Sequence, residues 1–179
     1  MIKNLRPGPQ RSETHPLDRT AYHEAGRAVA RVFCEKAGRI KYTTIKVTED
    51  GSSGNTESYL PANLLSDGEP QPRAGTIVDE IKCRLAGMVA VRRRGYQDPS
   101  DADEAWKQAH AIARCHVTQE PEQVQAFVQR LWRSTEELVE ENWWAVKAVA
   151  KALVERETLT GVEVLSVVAD AWKNEIEKR

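Results

Sequence analysis

Apolar residues recur at three- and four-residue steps along most of this chain, and a period of two interrupts them only near residue 45. From Asp18 to about Lys36, the residues Ala21, Tyr22, Ala25, Ala28, Val29, Val32 and Phe33 form one stripe. That spacing predicts a helix with one buried face and with His23 and Arg27 along its edge. Ile40 to Val47 is β-branched and alternating, and Gly51-Ser52-Ser53-Gly54 turns the chain toward a second extended piece, Thr56 to Leu60. These predict a hairpin. Pro61 to Arg73, with three prolines and a glycine, reads as a loop.

The remainder is helical in pattern. Ile77, Val78, Ile81, Leu85, Met88 and Val89 mark a helix from about Thr76 to Arg93, ended by Gly95. Ser100 is a candidate N-cap, with Asp103 completing a capping-box pattern, for a helix that fades near His116. A long pattern from Pro121 to Arg156 breaks near Asn142, and a last helix begins after Thr160, where Glu163 completes a second capping box. The expected class is α+β, mostly α-helical, with a small early hairpin or sheet packed on the first helix and a helical C-terminal half.

Composition narrows the partners. The chain has 179 residues, enough for one domain over 17–179 behind a polar, proline-containing arm over 1–16. A formal net charge of −1 leaves no global basic field, so neither nucleic acid nor an acidic membrane is an expected partner. Arg92-Arg93-Arg94 reads as a solvated helix end. No run approaches a membrane span of roughly 18 apolar residues. The three cysteines, Cys34, Cys83 and Cys115, lack C-x-x-C spacing, fall on helical patterns and suit buried thiols in a cytoplasmic protein. Trp143 and Trp144 suit inter-helix packing.

The candidate chemistry lies on the first helix, in Ala21-Tyr22-His23-Glu24-Ala25-Gly26-Arg27-Ala28. In H-E-x-x-H, two histidines one helical turn apart bind zinc and the glutamate is the general base. His23 and Glu24 keep two of these places, and Arg27 takes the third. A guanidinium has no lone pair to give a metal.

The order of motifs resembles the peptidase domain of the FtsH-type ATP-dependent zinc metalloproteases. The carrying segments are Thr20 to Ala30, the strand Tyr42 to Val47 with Gly54 to Pro61 after it, Leu85-Ala86-Gly87-Met88-Val89-Ala90, Ser100-Asp101 with Ala105 four residues on, and Leu153 to Gly161. The resemblance spans roughly Asp18 to Val168. It implies His23 and Asp101 as metal ligands, Glu24 as catalytic base, and zinc as the cofactor. Two departures qualify it. There is no G-x-x-x-x-G-K-[ST] phosphate loop and so no ATP site in this sequence, and Arg27 replaces the second zinc histidine.

Loss of one ligand and repulsion from a fixed cation should weaken zinc binding by several kcal/mol, on the order of 10³-fold. Cys34 lies about 16 Å along the helix from His23 at ~1.5 Å per residue, too far to replace it, and His110 fails against Asp101 on the same arithmetic. His15 and Asp103 remain as substitute ligands. Alternatively, Arg27 pairs with Glu24 or Asp101 and fills the metal's place. Three functions follow. The first is an FtsH-like domain with lost or impaired peptide hydrolysis, which captures an extended peptide or unfolded protein along an edge strand formed by Thr43, Thr44, Ile45, Lys46 and Val47. The second is an ATP-independent peptidase using a substitute ligand. The third is an oligomerisation module, as a homo-oligomer or beside a separate ATPase.

Overall fold

The helix α1 (Asp18–Phe33) runs through the middle of the fold and touches nearly every other element. In the computed structural model the described residues are 17–47, 53–59, 73–96 and 99–178, with the side chains of Ser53 and of residues 99–103 excluded. The N-terminal arm, most of the hairpin turn and nearly all of the loop from Pro61 lie outside them. After α1 come β1 (Ile40–Val47), β2 (Ser53–Ser58), α2 (Ala74–Arg94), α3 (Pro99–His116), α4 (Pro121–Glu141), α5 (Trp143–Arg156), β3 (Thr158–Thr160) and α6 (Gly161–Ile176). The class is α+β and mostly helical, as the periodicity implies.

α1 ends at Phe33, three residues before the expected Lys36. Ala37 N donates to Cys34 O, and Gly38 has a φ of 79°, which breaks the helix and aims the chain into β1. Gly95 closes α2 in the left-handed conformation, with a φ of 102°. α3 opens at Pro99, so Ser100 lies inside the first turn rather than capping it. Proline suits that opening position because its missing N–H has no helical partner there. Asn142 separates α4 from α5, and both halves of the Thr160–Glu163 capping box are made.

Strand β3 has no counterpart in the expected hairpin. It pairs antiparallel with β1 through Tyr42–Thr160, Thr43–Leu159 and Thr44–Thr158, while β2 pairs on the other side through Thr43–Thr56 and Thr44–Asn55. The sheet order is therefore β2-β1-β3. Gly161 begins α6 directly behind β3 because a Cβ there would strike Ile40 O.

Two cores meet at α2. One gathers Ala25, Val29, Ile45, Ala86, Val149 and Leu153 between α1, the sheet and α5. The other gathers Ile81, Leu85, Ile112 and Val128 between α2, α3 and α4. At Gly26 an added Cβ would lie 2.5 Å from Ala86 O and 2.7 Å from Ala90 Cβ, so the backbones of α1 and α2 are in near contact. Cys34 and Cys83 are buried and hydrogen-bond to each other, which with burial pushes the Cys83 thiol well up. Cys115 is exposed, against expectation, because it falls on the solvent side of α3. The Arg92–Arg94 run is more than a solvated end. Arg93 pairs with Glu140 at 2.5 Å and stacks over Trp143, while Arg94 pairs with Asp18 at 3.3 Å and covers Tyr22.

One buried ion network ties α1 to α2. Glu80, 1% exposed, lies 2.9 Å from Arg31 Nη2 and 2.9 Å from Arg84 Nη2. Arg31 is buried too and also donates to Ala37 O. Removing the acid would strand a buried guanidinium, so Glu80→Ala is expected to cost about 3–5 kcal/mol in urea unfolding. A loss below about 1 kcal/mol, typical of exposed pairs, would mean that Arg31 finds water instead.

Candidate functional site

The second and third turns of α1 place His23, Glu24 and Arg27 beside β2 and α2. Glu24 is 2% exposed, yet its carboxylate is well supplied. Thr56 Oγ1 donates to Glu24 Oε2 at 2.6 Å, and Arg27 Nη1 lies 3.5 Å from the same oxygen. Thr56 in turn shares a 2.9 Å hydrogen bond with Thr43 Oγ1. Since Thr56 gives its proton to the carboxylate, Thr43 is the donor of that second bond. A relay Thr43–Thr56–Glu24 thus crosses two strands to hold the acid.

Two glycines make the arrangement sterically possible. Gly54, with a φ of 83°, lets the β2 backbone lie against α1, where a Cβ would come within 2.9 Å of Glu24 Cγ. Gly87 does the same on α2, where a Cβ would lie 2.7 Å from His23 Nε2. The imidazole is therefore seated over bare helix backbone. Its Nδ1 is buried without a hydrogen-bond partner. Burial pushes the His23 pKa down, and the charges of Arg27 and Arg19 push the same way against the opposing pull of Glu24. The neutral imidazole is the favoured form.

A cavity of about 220 Å³ opens over these groups, bounded across from α1 by Arg84, Glu104 and Gln108. Arg84 Nη1 donates to Gln108 Oε1 at 2.7 Å, and Gln108 Nε2 donates to Glu104 at 2.9 Å. Sequence reasoning missed Arg19, Arg84, Glu104 and Gln108, which look like ordinary helix-surface residues in one dimension. Thr56 was read only as the start of a strand.

Of the expected site residues, the structure brings His23, Glu24 and Arg27 together. Asp101 stands in the first turn of α3, at a helix position four before Ala105 and seven before Gln108, both of which reach the cavity. The side chains of Asp101 and Asp103 lie outside the described residues, as does His15. Thr43 to Val47 does not form an edge strand. β1 is central, and the late strand β3 occupies the side expected to be open. Thr43, Thr44 and Ile45 are buried, with Thr44 Oγ1 bonded to Thr158 Oγ1 at 2.7 Å and Ile45 N donating to Glu157 O. Lys46 and Val47 are exposed, and Lys46 pairs with Glu157 at 3.5 Å.

The described donor set does not fit zinc. It offers one imidazole, a guanidinium in the place of the second, and a carboxylate already held by Thr56 and Arg27. What the arrangement offers instead is a polar cleft in which guanidinium groups face inward, suited to an anionic or hydrogen-bonding ligand.

The electrostatics carry a testable sign. With the folded His23 pKa below the ordinary value, the unfolded chain binds more protons between those two values. This contribution to stability is present above the ordinary histidine pKa and is lost as pH falls below it. Arg27→Gln removes one cause of the depression and unmasks Glu24. The His23 pKa, followed by NMR titration of the imidazole, is expected to rise. An unchanged value would show that Arg27 does not act on His23.

No protein-family model matches the chain, and no curated protein matches its sequence, so the reading of this site rests on the motifs and on the geometry above.

Proposed function

We propose that this chain is an FtsH-like metallopeptidase scaffold whose zinc centre is disabled, and that it acts as a metal-independent peptide-binding module. The observation that carries the reading is Arg27. It stands one turn from His23, and its guanidinium lies on the carboxylate of Glu24, the group that would otherwise serve as base. A permanent cation replaces both the second ligand and the metal's charge. The carboxylate is thereby held as a structural acid.

Peptide capture is supported by the sheet. Among the described residues no strand pairs with the outer side of β2, and Gly54 brings that strand against the cavity. An extended segment added there would satisfy β2's open backbone groups, with its side chains passing Arg27 and Arg84. Acidic peptides are the favoured class, because Arg27 engages Glu24 only through Nη1 at 3.5 Å and keeps donors for a peptide carboxylate. Reduced cysteines suit action in the cytosol.

The test pairs metal content with binding. Protein equilibrated with zinc and then dialysed is expected to retain substoichiometric metal by mass spectrometry. It should bind a fluorescein-labelled, unstructured acidic peptide equally with or without EDTA. Arg27→Glu should weaken that binding at least about tenfold, or about 1.4 kcal/mol. One zinc per chain together with EDTA-sensitive peptide cleavage would overturn the reading in favour of an active peptidase with a substitute ligand.

A further inference from the structure

At the far end of α1 from the cavity, the last helix shows solvent an apolar seam. Val162, Leu165, Ala169, Trp172 and Ile176 are all exposed and follow one another at steps of three, four, three and four residues. The core-facing side of α6 is a different set, led by Val164 and Val168. Val162 is 78% exposed and Leu165 54%, although both are large and apolar. Such spacing is the a/d pattern by which one helix packs along another.

The seam continues onto its neighbours. Trp172 packs on Trp144 with ring centroids 5.4 Å apart, and Trp144 meets the exposed Phe33 edge-on at 6.4 Å. On its other flank lies a groove of about 860 Å³ lined by Val32, Ile40, Tyr59, Val162 and Leu165. One face therefore carries both a ridge and a groove. We infer that this face is a two-fold interface between copies of this chain, with the α6 ridge of each copy seated in the groove of the other.

Three features favour a second copy over other occupants. A face with ridge and groove side by side is self-complementary under a two-fold axis. Aromatic side chains bury about 150–250 Å² each, so the exposed parts of Phe33, Tyr59, Val162, Leu165, Trp172 and Ile176 would together cover about 1,000 Å² across a pair, near the lower limit of a stable interface before other groove atoms are counted. Charge agrees as well. Arg39 at the groove and Glu177 at the end of the ridge lack ion pairs among the described residues, and a formal net charge of −1 gives two copies little mutual repulsion. A lipid surface fits less well, because the acids Glu163, Asp170 and Glu175 on α6 outnumber its base Lys173.

Sedimentation velocity of the full chain from about 1 to about 100 µM tests the inference, since interfaces of this size associate in that range or below. The expected result is a species of twice 20.1 kDa. Leu165→Glu and Trp172→Ala should each raise its dissociation constant at least about tenfold, with unchanged circular dichroism. Should either variant fail to fold, Val162→Lys, at a position 78% exposed in a single copy, is expected to raise the dissociation constant in the same way. A monomer at every concentration, or a dimer unaffected by both variants, overturns the inference. So does a monomer that sediments with phosphatidylcholine vesicles, which would make the face a lipid-binding one.

Discussion

Gly26 and Ala86 bring the backbones of α1 and α2 so close that a single methyl would not fit between them, and much of the molecule is arranged by that approach. With no side chain at Gly26 to spread the helices, Ala90 packs directly against it and the His23 ring drops onto α2 at Gly87. The same proximity lets Arg31 reach Glu80 across the helix pair. The buried ions are tolerated because the helices meet at a fixed distance that satisfies both partners. Packing at one small residue thus sets the geometry of a charge network and of the candidate site.

Within the site the controlling term is the burial of Glu24. An ionised carboxylate away from water needs donors and a nearby cation, and Thr56 with Arg27 supplies both. A metal ion and Arg27 are alternative answers to the same electrostatic need, since each provides positive charge beside that acid. An imidazole at position 27 would leave Thr56 as the acid's remaining described partner. Arg27 together with Thr56 therefore satisfies the buried carboxylate without a metal.

The helices were legible because their burial follows a 3.6-residue period, and Gly95 and the Thr160–Glu163 pair mark boundaries by local chemistry that needs no tertiary context. The near-motif on α1 was legible for the same reason: His23, Glu24 and Arg27 interact over one helical turn. β3 was not. Thr158-Leu159-Thr160 is too short to show alternation, and its partner strand lies more than a hundred residues away. The cavity's far wall was equally hidden, since Arg84 and Gln108 come together only through the docking of α2 on α3. Thr56 resembles any strand threonine until the sheet sets it over α1. Cys115 was misread because a helical pattern alone does not say which side of α3 faces α4.

That unread strand has consequences beyond its three residues. By pairing with β1 through Tyr42, Thr43 and Thr44, β3 turns the strand expected to receive a peptide into the centre of the sheet, and β2, the strand next to Glu24, is an edge strand among the described residues. It also sets the start of α6. Gly161 sits against Ile40 O with no room for a Cβ, so the last helix leaves the sheet in a direction fixed at β1. Val164 and Val168 then face the core, and helix geometry alone turns Val162, Leu165 and Trp172 outward. The closed side of β1 and the apolar seam at the other end of α1 are two results of one pairing, made between segments that local sequence gives no reason to bring together.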